Sequence, residues 1–182
     1  YKILGFVDNL SKKGKKVINY NNKNYHNLGK IIDLKKEKNL YGIIGVGSNI
    51  LRKKIFFEIN AVLKNFKFET IISKNSIIDK KVKIGKGTAI ISNSIINTGS
   101  VIGNHCLINT SCSIDHDNIF KDFTGTGPGV TTGGKVIVEE LSYLGIGSTI
   151  KNQIKIGKNC FVGGASFVNK NCDSNSLYYG IP

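Results

Sequence analysis

A six-residue repeat that begins at Ile72 constrains the fold of this chain more than any other feature. Seventeen consecutive hexads cover 102 residues, up to Asp173, without an insertion. The first position is Ile, Val, Leu or Phe in 15 of the 17 hexads, and the exceptions are Thr126 and Thr132. The fifth position is Ser, Thr, Cys or Val in 15 of the 17. An unbroken period of this length predicts a solenoid built from one repeating unit.

The length of the repeat argues against a helix. A step of six residues moves around a helix of 3.6 residues per turn, so no single face would stay apolar. Short strands joined by tight turns suit the period, because the bulky first residue can fill the interior and the small fifth residue a corner. The pattern resembles that of the hexapeptide-repeat transferases. This resemblance implies a mainly β fold, namely a left-handed parallel β-helix. In that family three hexads form one coil, so 17 hexads would form between five and six coils.

The repeat also accounts for the four cysteines, Cys106, Cys112, Cys160 and Cys172. All four fall at the fifth position, where Ser, Thr and Val also occur, so we expect small buried wall residues. Zinc ligands and disulfides are the alternatives that the residue type leaves open. A reducing cytoplasm is compatible with unpaired cysteines.

The net charge of +14 raises the question of nucleic-acid binding. Among the 26 basic residues only Arg52 is an arginine, and the lysines are scattered rather than interleaved with aromatic residues on one element. We therefore predict no nucleic-acid partner, and a solvated lysine surface that attracts anionic ligands such as nucleotide sugars or CoA phosphates. No apolar run is long enough to span a membrane. The sequence lacks Met and begins like the middle of a domain, so we expect a fragment.

The segment before the repeat, residues 1–71, is predicted to be a partial α/β domain, and residues 72–182 are predicted to form the β-helix domain. A helix is expected over 50–66, because its apolar residues recur at helical spacing and Ser48 or Asn49 can cap it. Strands on both sides of this helix would complete a βαβ unit. The other expected elements are strands over 2–7, 40–46 and 68–72, loops over 12–16 and 19–24, and a short helix over 31–38.

A half-Rossmann segment followed by a β-helix resembles the sugar O- and N-acyltransferase family, whose members act on UDP-4-amino sugars, GDP-perosamine and sialic acid. The family's acidic pair after the strand corresponds to Asp8-Asn9, with an amide in place of the second acid. Its glycine turn before an Arg-containing helix corresponds to Gly47-Ser48-Asn49 and Arg52. The resemblance implies that Asp8, Asn9 and Gly47 bind the sugar nucleotide. It also implies acetyl-CoA as acyl donor, no metal, and a homotrimer with the CoA site between subunits.

His116 is the candidate general base, because acyl transfer needs a base that titrates near neutral pH. It lies in the string Ile114-Asp115-His116-Asp117, and a solvated surface cluster is the alternative reading of such a string. The family's catalytic string is an Ile, an acid, a His and a second acid, two hexads before a Ser-Pro-Gly turn. Here Gly127-Pro128-Gly129 follows at that spacing. The resemblance therefore implies that His116 is the base and Asp117 its partner. Of the other histidines, His26 is expected in a surface loop and His105 at an exposed corner.

The resemblance also places the acyl donor against the backbone at Gly134, Ile146 and Gly164, and it makes Asn109 a weaker candidate for contacting the acceptor. One departure from the family concerns Gly125, which stands where the family often has a second histidine. Two alternatives to a sugar acetyltransferase remain open. One is a hexapeptide acyltransferase with a different acceptor, and the other is a non-catalytic β-helix scaffold.

Overall fold

A computed structural model describes residues 2–181. The chain folds into two compact units. One unit contains the residues up to Tyr41 together with Phe56–Lys67, and the other contains Gly42–Ile55 together with the residues from Phe68 onward.

The first unit begins with an antiparallel hairpin, β1 (Lys16–Tyr20) and β2 (Lys23–His26). Asn21 and Asn22 connect the strands, and both have left-handed φ angles, 50° and 60°. Asn tolerates this conformation, which a two-residue hairpin turn requires. The predicted loops over 12–16 and 19–24 are therefore wrong where these strands run.

Two other predictions for this unit need correction. The expected strand over 2–7 is reduced to one bridge, between Phe6 and Asn27. The expected helix over 31–38 is a single 3₁₀ turn, Ile31–Leu34.

The predicted strand–helix–strand order follows, with shorter strands. Its elements are β3 (Tyr41–Gly42), α1 (Asn49–Val62) and β4 (Lys67–Phe68). The two strands are neighbours in one sheet. They run in the same direction, since the amides of Lys67 and Glu69 donate to the carbonyls of Leu40 and Gly42. Helix α1 ends at Val62, four residues before the predicted end.

The rest of the chain is a solenoid of two-residue strands, which confirms the predicted left-handed parallel β-helix of about six turns. The strands stack in parallel, with partners 18 residues apart, into three faces. The first face contains β5 (Ile71–Ile72), β8 (Ala89–Ile90), β11 (Leu107–Ile108), β14 (Gly125–Thr126), β17 (Tyr143–Leu144), β20 (Phe161–Val162) and β22 (Leu177–Tyr178). The second face contains β6 (Ile77–Ile78), β9 (Ile95–Ile96), β12 (Ser113–Ile114), β15 (Thr131–Thr132), β18 (Thr149–Ile150) and β21 (Phe167–Val168). The third face contains β7 (Lys83–Ile84), β10 (Val101–Ile102), β13 (Ile119–Phe120), β16 (Ile137–Val138) and β19 (Lys155–Ile156).

The first residue of each hexad points into the solenoid, as predicted, and is almost fully buried from Ile90 to Val168. The fifth residue is buried at a corner, and its side chain also has a polar role. Where this side chain carries a donor, it commonly bonds to the carbonyl 15 residues later, in the next coil, although Ser148 and Ser166 do not. Examples are Thr88 to Gly103 (2.7 Å), Ser100 to Asp115 (2.8 Å) and Cys106 to Lys121 (3.2 Å). This hydrogen bond explains why hydroxyl and thiol groups are frequent at a buried position.

The period of 18 ends after Val168, which corrects the prediction of unbroken hexads up to Asp173. Leu177 pairs with Phe161, and Cys172 bridges to Ile156, so these partners are only 16 residues apart. Cys172 therefore takes the interior first position rather than the fifth. All four cysteines are unpaired and buried, and three of them, Cys106, Cys112 and Cys160, lie at the fifth position as expected.

Candidate active site

His116 and Asp117 form a hydrogen-bonded pair at the corner between the second and third faces. His116 Nδ1 lies 2.9 Å from Asp117 Oδ2, and both side chains are about half exposed, 48% and 53%. The carboxylate fixes the proton on Nδ1, which leaves Nε2 as the basic nitrogen of a neutral ring. A base with an accessible nitrogen and an oriented ring suits proton removal from an amine or a hydroxyl.

The other acidic neighbour, Asp115, has a local structural role. Its Oδ1 accepts hydrogen bonds from the His116 amide (2.8 Å) and from Asn97 Nδ2 (3.3 Å). Asp117 takes a left-handed backbone conformation, φ 56°, which Asp tolerates better than most residues. The Asp115 carboxylate thus shapes the turn, and the Asp117 carboxylate orients the ring.

Two glycines make room for this pair. A Cβ at Gly134 would lie 2.5 Å from His116 Nε2, and a Cβ at Gly99 would lie 2.2 Å from Asp117 Oδ1. Gly99 also has a left-handed φ of 74°. Gly134 is a predicted donor-binding residue, and its lack of a side chain is what lets the imidazole lie beside its Cα. The spacing of the hexads did not point to Gly99, whose contact with Asp117 appears only when successive coils are stacked.

Sequence reasoning also missed Asn118, although it was one of the two exceptions at the fifth position. Its buried Nδ2 reaches the carbonyls of Asp115 (2.8 Å), His116 (3.2 Å) and Gly133 (2.9 Å). Asn118 thus connects the turn that carries His116 with the next coil.

An open groove of about 670 Å³ runs along the second face beside this pair. Asp115 and His116 line it at the same corner as Gly134, and Thr131 and Thr149 form part of its floor. The neighbouring coils contribute Lys135 and Lys151, whose positive charges favour an anionic ligand. The volume is within the range of about 300–1,000 Å³ that is common for small-molecule sites.

The other two predicted donor residues lie at the corner between the first and second faces. Ile146 is 63% exposed, and a Cβ at Gly164 would lie 3.0 Å from Ile146 Cγ2. The amide of Ala165 donates to the Ile146 carbonyl, so these residues stack in successive coils. Ile146 and Gly164 therefore border the same face as His116 and Gly134, at its opposite edge.

Asn109 lies at this same opposite corner, and its side chain is engaged locally. Its Oδ1 accepts from the Thr110 amide (2.8 Å). Its own amide donates to Thr126 Oγ1 (2.9 Å) rather than to a backbone carbonyl. The threonine that breaks the aliphatic pattern thus supplies the acceptor for this backbone amide.

The space above Gly125 is filled by Asn49 from α1. A Cβ at Gly125 would lie 2.6 Å from Asn49 Oδ1 and 3.2 Å from Tyr143 Cδ2. Asn49 Nδ2 donates to the carbonyls of Leu141 (3.1 Å) and Ser142 (2.9 Å). The position at which the family often has a second histidine is thus a docking point for the start of α1.

Arg52 is buried, with 2% of its surface exposed, and binds backbone carbonyls. Nε donates to His105 (2.7 Å), and Nη2 donates to Thr124 (2.9 Å). Nη1 donates to Val46 (2.8 Å) and Gly47 (3.1 Å). The guanidinium group holds the turn before α1 against the β-helix.

The expectation that His105 is exposed is wrong, since only 3% of its surface is accessible. Its ring stacks on Phe123 at 5.0 Å between centroids and meets Phe68 edge-on at 4.7 Å. Burial lowers the pKa of His105. This histidine is a core residue.

The predicted acceptor-binding residues of the N-terminal segment lie apart in sequence from this corner. Asp8 and Asn9 belong to the first unit, where the Asp8 carboxylate accepts from the Ser11 hydroxyl and the Leu10 amide. The Ser11 hydrogen bond is the main cause that lowers the pKa of Asp8. Gly47 belongs to the second unit and is exposed, with open space where a Cβ would stand.

Within residues 2–181, no group of three or more His, Cys, Asp and Glu side chains is arranged to hold a metal ion. Across the same residues, no helix has the length and apolar character needed to cross a membrane.

Solved structures similar to this chain include acetyltransferases, one of them in complex with a nucleotide sugar. PerB from Caulobacter crescentus, in complex with CoA and GDP-perosamine, is 26% identical; the match covers 85% of this chain and 75% of PerB, with a TM-score of 0.81. The acetyltransferase domain of PglB from Neisseria gonorrhoeae is 21% identical, with 100% and 86% coverage and a TM-score of 0.87. WeeI from Acinetobacter baumannii is 21% identical, with 98% and 83% coverage and a TM-score of 0.83. No family sequence profile matches the chain. The predicted resemblance to hexapeptide-repeat sugar acetyltransferases is confirmed.

Proposed function

We propose, from its likeness to the hexapeptide-repeat sugar N-acetyltransferases, that this chain transfers an acetyl group from acetyl-CoA to the amino group, or a hydroxyl group, of a nucleotide-linked or acidic sugar. The observation that carries the proposal is the His116–Asp117 pair beside an open groove on one face of the β-helix. The product would serve bacterial surface glycan or glycoprotein synthesis. The use of acetyl-CoA and the four unpaired cysteines support a cytoplasmic reaction.

The proposed chemistry is direct transfer with His116 as general base. The acceptor nitrogen or oxygen attacks the thioester carbonyl carbon while His116 Nε2 takes its proton. A bond from the acetyl carbon to the acceptor forms, and the carbon–sulfur bond breaks. The proton then passes from His116 to the departing CoA sulfur. Asp117 stabilises the imidazolium that exists between the two proton transfers, because its carboxylate is 2.9 Å from Nδ1.

The residues of the second face fit the acyl donor. Gly134 leaves the groove open next to the His116 ring, which is where the thioester must lie. Lys135 and Lys151 favour the CoA phosphates, and Ile146 and Gly164 offer an apolar edge and exposed backbone at the opposite corner. We infer a homotrimer with the donor between neighbouring subunits, as the resemblance implies.

For the acceptor, we infer that Asp8, Asn9 and Gly47 bind the sugar nucleotide, and that Asn109 assists. The open space around Gly47 supports a close approach of the ligand to the backbone. PerB was crystallised with GDP-perosamine, a nucleotide-linked amino sugar, so an amine is the preferred acceptor to test first.

The proposal is tested by following release of the CoA thiol from acetyl-CoA with a panel of UDP-4-amino sugars, GDP-perosamine and sialic acid. We expect turnover with at least one acceptor and a loss of about 1,000-fold in kcat for His116→Ala. His26→Ala is the matched control, because His26 is an exposed histidine outside the proposed machinery. Turnover of His116→Ala within twofold of the parent would remove His116 from the mechanism. No thiol release with any acceptor would refute the proposed substrate class.

A further inference from the structure

We propose that Asn118 is a positioning residue that fixes the backbone of His116 in the conformation needed for catalysis. This inference rests on the proposed role of His116 and adds a residue to it. Asn118 does not line the groove, and we assign it no contact with either substrate. Its effect on the reaction would pass through the turn that it holds.

The hydrogen bonds of Asn118 connect this turn with both neighbouring coils. Asn118 is fully buried, and its Nδ2 donates to Asp115 O (2.8 Å) and His116 O (3.2 Å), the carbonyls on either side of the His116 peptide unit. The same nitrogen reaches Gly133 O in the next coil (2.9 Å). Its backbone amide donates to Ser100 Oγ in the previous coil (3.1 Å). The orientation of the His116 backbone is thereby tied to both neighbouring coils.

The serines at the fifth position do not hold their own turn in this way, although the thiol of Cys106 also approaches the carbonyl of Asn104, at 3.6 Å. Ser94 and Ser100 donate their hydroxyl groups to the carbonyl 15 residues later, which is the equivalent of the bond from Asn118 to Gly133. A serine or threonine hydroxyl has one proton to donate, whereas an amide has two. The longer Asn side chain therefore keeps the bond between coils and adds the bonds to the turn of His116.

The Asn118 amide also carries a cost that a serine would avoid. Within residues 2–181, no donor reaches its buried Oδ1. A buried polar atom without a partner costs about 1–3 kcal/mol. A corner that needed only the bond between coils could be satisfied by Ser, the commonest residue at the fifth position, which occurs in 6 of the 17 hexads. Ser148 and Ser166 also have buried hydroxyl groups without a partner, so the argument for Asn118 rests on its bonds to the turn of His116.

The test is Asn118→Ser, with Asn118→Thr as a second variant because Thr88 already occupies an equivalent corner and donates to the carbonyl 15 residues later. Both variants keep a donor for Gly133 and lose the bonds to Asp115 and His116. We expect kcat to fall about 10-fold to 100-fold, with KM for acetyl-CoA within twofold of the parent. ¹H–¹⁵N spectra of the imidazole should show that the single Nδ1–H tautomer of His116 gives way to a mixture. Thr88→Val, which removes a bond between coils at another corner, is the control and should leave kcat unchanged.

The outcomes separate this inference from the proposed function. The positioning role alone would be overturned if His116→Ala loses most of its kcat while both Asn118 variants keep the parental kcat and the parental His116 tautomer. Activity retained by His116→Ala would overturn the proposed base and the inference with it. A loss of kcat that only follows the loss of folded protein, measured by circular dichroism, would identify Asn118 as a structural residue and also overturn the inference.

Discussion

Replacement of Gly134 by Ala gives a sharp test of the His116 geometry. The added Cβ would lie 2.5 Å from Nε2 and 2.6 Å from Cε1 of the ring, whereas ordinary contacts begin at 3.4 Å. The ring would have to withdraw by about 0.9 Å, from 2.5 to 3.4 Å. A misplacement of about 1 Å can cost about 100-fold in rate, or about 2.7 kcal/mol in the activation barrier.

The stability of Gly134→Ala should change much less than its rate. The His116 ring is half exposed and can rotate towards solvent. The loss of its hydrogen bond to Asp117 costs about 0.5–1.5 kcal/mol. The φ angle of Gly134 is outside the left-handed region, so an alanine fits this backbone. The alanine lowers the entropy of the unfolded chain, which raises the free energy of unfolding by about 0.4–1 kcal/mol. We expect the free energy of unfolding to stay within about 1 kcal/mol of the parent, measured in urea.

The assay is thiol release under saturating acetyl-CoA, for Gly134→Ala, His116→Ala and the double variant. If the methyl group acts by displacing His116, the double variant should be no slower than His116→Ala alone. Calorimetry of CoA binding to His116→Ala and to the double variant shows whether Gly134 also contacts the donor. If it does, CoA should bind more weakly to the double variant than to His116→Ala. A parental kcat for Gly134→Ala would refute the argument from the ring position.

Four other predictions concern residues of the unit that contains the β-helix. Asp117→Asn should lower kcat about 10-fold without changing KM for acetyl-CoA, because an amide stabilises the imidazolium less well. A rise in KM for acetyl-CoA as large as the fall in kcat would contradict this. Arg52→Met should lower the free energy of unfolding in urea by about 3 kcal/mol, since a charged group that binds several backbone carbonyls is lost. Burial lowers the pKa of His105, so the unfolded chain binds this proton more readily and stability should fall as the pH drops below about 6.5; His105→Gln should flatten this dependence between pH 7 and 5. The four thiols should react with an aromatic disulfide reagent only as the protein unfolds, because all are buried and burial raises the pKa of Cys106 and Cys112; rapid native labelling would contradict the assigned burial.

The repeat predicted the β-helix, its interior residues and the buried corners, because a side chain's position in the hexad determines whether it faces inward. The same periodicity failed at Cys172, because a deletion of two residues leaves a cysteine that is equally acceptable at a corner or in the interior. The position of His105 in the hexad suggested exposure, and only the three-dimensional packing of Phe68 and Phe123 shows it to be covered.

The sequence predicted the part of the candidate site that lies in one local motif. His116 and Asp117 are adjacent in sequence, so their pairing could be expected from the string itself. The contacts of Gly99, Gly134 and Asn118 join residues 15 or 18 positions apart and become visible only when the coils are stacked. Asn118 could have been singled out earlier, since it departs from the fifth-position pattern two residues after His116.

The coil shortened to 16 residues shows where this fold tolerates a deletion. Its strands stay in register with the regular coil before it, since Leu177 pairs with Phe161 and Cys172 bridges to Ile156. The two residues are lost from the turn between Val168 and Cys172, and Cys172 is still buried in the interior. A β-helix of this kind can therefore change the length of a corner without losing the ladders that hold its coils together.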